Sequence, residues 1–192
     1  MRRLKILALA FTVLAMVSAG RTFAQSPPDT PEYVGTSRCL VCHANYAKDW
    51  RSSHHGWAWN KPDARHVLGD FSGTSFDGGG LSAKFSKNGS QFIIETLDQN
   101  GKPKKFTVHS TAGVAPLQQY LLEVEKGRLQ SFDIAWDTVR KRWYHLYPGQ
   151  KASASDGMHW TGPYKNWNAR CAECHATGYK KNYDPRERTY TS

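Results

Sequence analysis

The four cysteines of this chain fall in two frames of the same kind. Cys39-Leu40-Val41-Cys42-His43 is the first, and Cys171-Ala172-Glu173-Cys174-His175 is the second. Every cysteine lies in a C-x-x-C, and every C-x-x-C is followed at once by His. Two thiols at this spacing can add to the two vinyl groups of one haem as thioethers. The next residue then lies under the iron, where an imidazole serves as proximal ligand. The pattern reads as attachment of haem c, two in this chain. Cys39, Cys42, Cys171 and Cys174 are the expected covalent anchors, and His43 and His175 the expected proximal ligands. No set of residues stands out as a catalytic constellation.

Three other chemistries fit a C-x-x-C less well. A thioredoxin-like redox pair needs a βαβ context, which neither motif has. A four-cysteine zinc site could combine both pairs, but Cys42 and Cys171 are too far apart in sequence for the usual knuckle. Disulfides suit an oxidising compartment, yet a C-x-x-C loop is a small crosslink.

Haem iron in cytochromes commonly takes a second axial ligand from His or Met. Six histidines remain: His54, His55, His66, His109, His145 and His159. Beyond residue 24 the only methionine is Met158, so thioether ligation cannot serve twice. His55 follows Trp50 and precedes Trp57 and Trp59, His145 lies in Trp143-Tyr-His-Leu-Tyr-Pro148, and His159 precedes Trp160. Aromatic neighbours suit a porphyrin wall and also an ordinary core. His55 and His159 are the preferred distal pair, with His145 the third candidate.

These residues need elements to hold them. Residues 40–50 could form a short helix beneath the first motif, and residues 67–80 are Gly-rich and loop-like. From Leu81 the period becomes two: Leu81, Ala83 and Phe85 alternate with Ser82, Lys84 and Ser86. Asn88-Gly89 and Asn100-Gly101 are hairpin turn signals around strands at 91–97 and 104–109. Residues 116–120 read as a helical turn. Strands at 121–124 and 128–136 flank a Lys126-Gly127 turn, with Phe132, Ile134 and Trp136 on one face and Asp133 on the other. A last strand is expected over 141–147. The fold class is therefore α+β, with partly helical haem-binding segments flanking an antiparallel β-meander. The expected divisions are a signal peptide at 1–24, a Pro-rich lead-in at 25–37 and a first haem segment at 38–66. A β-rich unit at 67–150 and a second haem segment at 151–192 follow.

The leader reading rests on Arg2, Arg3 and Lys5 before the apolar run from Ile6 to Val17, with small residues at Thr22 and Ala24. The run is too short to span a bilayer and suits a cleaved export signal. The rest of the chain has no longer apolar run, so no membrane span is expected after cleavage. An exported, periplasmic address agrees with haem c, which is attached outside the cytoplasm. With 192 residues the chain has room for one ordinary domain, or one and a small extra, which excludes a large multidomain enzyme. Aromatics reach 12%, including seven Trp, which suits packing against something large and flat. The formal charge is +10, and loss of residues 1–24 would leave about +6. No nucleic-acid module accompanies this excess. The partners it suits are redox proteins, acidic or quinol-linked.

A longer series of motifs resembles a known family. Tyr33-Val-Gly-Thr-Ser-Arg-Cys-Leu-Val-Cys-His43, with Tyr46, Trp50, Ser53 and His55, looks like the first haem segment of multihaem cytochromes with a cytochrome c-554-like domain. Relatives often carry tetratricopeptide repeats. The likeness continues through Val67-Leu-Gly-Asp-Phe71, Pro116-Leu-Gln-Gln-Tyr120, Ile134-Ala-Trp-Asp137 and His145-Leu-Tyr-Pro148. It ends with His159-Trp-Thr-Gly162, Asn166-Trp-Asn168 and the second motif. The resemblance implies haem c at both motifs and electron transfer outside the cytoplasm. It puts His55, His145 and His159 ahead of His54, His66 and His109. Two features depart from it. Ala58-Trp59 stands where relatives have Ala-Met, and only 17 residues follow His175, where longer relatives continue into a further haem motif.

The first functional expectation is thus an electron carrier with two covalent haems. A haem enzyme acting on small nitrogen or sulfur compounds would need an open iron position and an acid–base group beside it. A sensory or binding module would keep its haems without exchanging electrons.

Overall fold

The computed structural model describes residues 32–192. The leader expected at 1–24 and the first part of the lead-in lie outside the described residues. Helix α1 spans Thr36–Ser52, longer at both ends than the expected 40–50. Ten strands follow or interleave: β1 Ser75–Gly78, β2 Leu81–Asn88, β3 Gln91–Leu97, β4 Pro103–Ala112 and β5 Leu117–Glu125. Then come β6 Arg128–Ser131, β7 Ile134–Asp137 and β8 Arg142–His145. Two short helices, α2 Trp167–Arg170 and α3 Ala172–His175, carry the second motif, and β9 Tyr183–Asp184 pairs with β10 Thr189–Tyr190.

Strands β1 to β8 make one antiparallel sheet in the order β1-β2-β3-β4-β5-β7-β8, with β6 also on β5. The expected meander is present from β1 to β5. It then departs from a simple meander, because β5 is long enough to pair with two strands on one side. Leu117 and Gln118 pair with β7, and Leu121 to Glu125 pair with β6. Register shifts at Val108/Ser110 and Glu123/Glu125 bend the ladder, as bulges do. The sheet curls until β1 and β8 touch, so it is a nearly closed barrel. The α+β expectation holds in its coarse form, with β dominant and the helices at the periphery.

Binary patterning explains the interior. Leu81, Ala83 and Phe85 are buried while Ser82 and Lys84 are exposed, as period two requires. Phe85 stacks on Trp143 at 3.6 Å between ring centroids and 6° between planes. Phe71 meets Phe85, Phe92, Tyr120 and Trp143 edge-on, so a residue from the expected loop is a centre of the core. Trp160 is fully buried against Phe106 and Phe132 and donates from Nε1 to the Leu97 carbonyl at 3.2 Å.

Three expectations are corrected. Instead of the helical turn expected over 116–120, Leu117 to Tyr120 open strand β5, because β4 and β7 both supply ladder partners there. The single strand expected at 128–136 breaks between Ser131 and Ile134. At the break the Phe132 N–H donates to the Tyr120 carbonyl, and Asp133 is buried beside Lys165 at 2.9 Å instead of facing water. Part of the Gly-rich 67–80 stretch is strand β1, paired with β2.

Deleting the stacked ring should expose how far the barrel depends on it. Phe85→Ala should cost about 3–5 kcal/mol, and Lys84→Ala, one residue away and exposed, less than about 0.5 kcal/mol. Denaturant unfolding of the two variants measures the difference.

Candidate haem site

The second motif is built onto the outer face of the sheet. Leu121 and Leu129 leave the barrel interior and form a second apolar cluster with Ala112, Trp167 and Ala172. Trp59, Cys171 and Tyr179 pack against that cluster. Polar side chains then fix the register. Asn166 caps α2 by accepting the Ala169 N–H at 2.8 Å. Buried Asn168 accepts the Leu129 N–H at 2.8 Å and donates to the Gly127 carbonyl at 3.1 Å. Gln130 donates to the carbonyls of Trp160 and Gly162. The segment over 163–175 is thereby tied to β6.

A second anchor brings the turn after α1 to the same place. Asn60 and Thr111 exchange backbone hydrogen bonds at 2.9 Å each way, and Trp59 Nε1 donates to Ser110 Oγ at 2.7 Å. Gly56 lies against the end of α1, where an added Cβ would stand 2.5 Å from the Trp50 carbonyl oxygen. Only glycine lets the chain turn back so closely.

Between these anchors lies a cleft of about 640 Å³, lined by Cys174 and His175 with His55, His66, Trp59 and Arg65 among others. That volume is in the range of small-molecule and cofactor sites, about 300–1,000 Å³. His175 Nδ1 lies 3.2 Å from the Ala58 carbonyl, which can only accept. The ring therefore carries its proton on Nδ1 and keeps the Nε2 lone pair free. Trp167 lies 4.9 Å from the His175 ring. Cys174 is exposed, whereas Cys171 is half-buried, and burial pushes its thiol up. The Cys174 thiol and a tautomerically fixed imidazole border the open cleft, a donor set that suits covalent haem, while Cys171 packs against the apolar cluster beside it.

The first motif has a different setting. Cys39, Cys42 and His43 are all exposed, and no residue of α1 is buried. The helix departs from helical geometry at His43, with φ −124° and ψ 38°. The two ends of α1, Thr36 and Trp50 with Arg51, border the cleft at the second motif; Cys39, Cys42 and His43 do not.

The distal candidates separate. His55 is exposed and lines the cleft with His175. His145 and His159 come together elsewhere, with Asp133, in a cavity of about 10 Å³, room for one water rather than a porphyrin. The Tyr147 N–H donates to His145 Nδ1 at 2.9 Å, so the neutral His145 ring has its proton on Nε2. His159 Nδ1 lies 2.8 Å from Thr161 Oγ1 and 3.3 Å from the Thr161 N–H. Gly79 closes this cavity, its Cα so near the His145 ring that a Cβ would stand 3.0 Å away. His66 joins His55 in the cleft, although it lies outside the aromatic stretches that ranked the histidines. The signal that could have found it is Asp63, three residues earlier. His54 and His109 are exposed, and His109 Nδ1 lies 3.1 Å from Ser110 Oγ.

Burial lowers both His145 and His159, and the nearby carboxylates of Asp133 and Asp156 only partly oppose it. Burial likewise raises the Asp133 carboxyl against the pull of Lys165. In the unfolded chain both imidazoles take protons near the ordinary value of 6.5, while the folded state holds them neutral. The unfolded state then binds more protons, so stability falls as pH drops below that value. Unfolding followed from about pH 8 to about pH 5 should show this loss. Replacing both His145 and His159 with Gln should flatten the slope.

Compared with protein families, curated proteins and solved structures, the chain matches none. What it does is therefore read from these residues.

Proposed function

We propose that this chain is a c-type cytochrome that carries electrons outside the cytoplasm through two covalently bound haems. The observation that carries the reading is at the second motif. Cys174 and His175 open onto a cleft of cofactor size, and the His175 ring is held on the Ala58 carbonyl in the tautomer a metal ligand needs. The resemblance to multihaem cytochromes with a cytochrome c-554-like domain points the same way.

When bound, haem supplies a one-electron iron couple. The chain's own residues attach, orient and wall it. Cys171 and Cys174 would hold one haem through thioethers, and Cys39 with Cys42 on α1 would hold the other. The Ala58 carbonyl keeps His175 Nε2 free, and hydrogen bonding at Nδ1 raises the basicity of the ring. Trp59, anchored to Ser110, lines the cleft. The exposed first motif is the point of easier electron entry, since nothing on α1 is buried. Among the described residues no helix is long and apolar enough to cross a membrane. Export through the leader places maturation where thioethers form, and the basic excess suits acidic or quinol-linked redox partners.

Protein made with a c-type maturation system should carry a denaturation-resistant mass increase equal to two haems. Cys171→Ala combined with Cys174→Ala should reduce it to one. A mass equal to the bare polypeptide, or bound zinc in place of haem, overturns the reading. Electron exchange with an acidic partner should slow severalfold between low and physiological salt, because screening weakens steering.

A further inference from the structure

We infer that His66 is the distal iron ligand of the haem held by Cys171, Cys174 and His175, and that Asp63 positions it. The inference rests on the haem reading above and concerns which imidazole completes that site.

Three histidines line the cleft: His55, His66 and His175. Two of them are prepared in the same way. His175 donates from Nδ1 to the Ala58 carbonyl, and His66 donates from Nδ1 to Asp63 Oδ1 at 2.8 Å. Both acceptors lack a proton to give, so both rings keep the Nε2 lone pair free. This tautomer is the reverse of the one that the Tyr147 N–H imposes on His145.

The Asp63 carboxylate is itself fixed. Its Oδ1 accepts the backbone N–H groups of Arg65 and His66, each at 2.9 Å. The acid, the turn and the ring are thus one unit. A carboxylate on the outer nitrogen of a ligating histidine orients the ring and raises its basicity. Trp57 meets the His66 ring edge-on at 5.0 Å and limits its rotation. The Leu68 N–H and the His66 carbonyl both bond to the buried Gln118 side chain, which ties the far end of the turn to β5. His66 is half-buried, with 21% of its side chain exposed, whereas His55 is exposed, and among the described residues its ring has no hydrogen-bond partner. A ligand whose orientation is already set loses less entropy on binding.

The test uses the holoprotein carrying both haems. His66→Ala should turn one of the two haems, about half of the signal, from low-spin to high-spin, and added imidazole should restore it. His66→Met should keep that haem six-coordinate with a thioether ligand and raise its potential, as Met/His ligation does. This variant also covers the case in which the Ala variant fails to mature. Asp63→Asn should leave the haem low-spin but raise its potential, because the amide polarises the ring less. A structural role alone would leave that potential unmoved. Two low-spin haems in His66→Ala, with a high-spin haem in His55→Ala instead, would overturn the assignment in favour of His55. A wild-type protein with one high-spin haem at the second motif would also overturn it. Absence of covalent haem from the wild type would overturn the haem reading itself.

Discussion

Strand β5 buries apolar side chains on both faces, and most of the site follows from that. Tyr120 and Leu122 point into the barrel, while Leu121 between them belongs to the outer cluster. A curled sheet closes over its own interior but leaves such an outer residue uncovered. Trp167 and Ala172 cover it, together with Leu129 and Ala112. Ala172 is the first residue between the cysteines of the second motif, so covering the sheet and positioning the motif are one event. The buried polar groups drawn in by this packing are matched in kind, with Asn168 taking the Leu129 N–H and Gln130 the carbonyls of Trp160 and Gly162. Buried polar groups without such partners would cost more than the packing returns.

The two C-x-x-C-H frames are alike in sequence and unlike in surroundings. The second is held by a tryptophan, two asparagines and a sheet. The first lies on a helix with no buried residue. Burial and hydrogen bonding tune haem potential. On the haem reading, two centres with the same covalent attachment would therefore differ through their environments. The more exposed one would meet partners, and the walled one would be set by its cleft.

A third polar assembly sits away from both motifs. Asp133 and Lys165 form an ion pair at 2.9 Å with both side chains almost fully buried, and the Lys165 ammonium lies 3.6 Å from the Tyr147 ring centroid. His145 and His159 face the same small cavity. The pair joins the break between β6 and β7 to the turn before α2, so it holds the second motif's lead-in to the barrel from the opposite end to Asn168. Such a pair adds little stability for its own sake, but removal of either partner leaves a buried charge.

The sequence alone determined the spacing of thiols and imidazole in each C-x-x-C-H frame, because the pattern is local and its reach is set by two intervening residues. It determined the hairpins too, since Asn88-Gly89 and Asn100-Gly101 are turn signals and Leu81, Ala83 and Phe85 alternate in period two. Tertiary structure decided what periodicity cannot encode. Residues 117–120 became strand because two neighbours offered hydrogen bonds, and Phe71 entered the core from a Gly-rich stretch by packing edge-on against four rings. The histidines show the limit most clearly. Aromatic neighbours raised His145 and His159, yet the fold brings both to a cavity of about 10 Å³ away from either motif. His66 had no such neighbours and gained its orientation from Asp63 and its place from Gln118, 52 residues away in the chain. Which nitrogen of an imidazole is free depends on the hydrogen bond made by the other, and that partner is chosen by the fold.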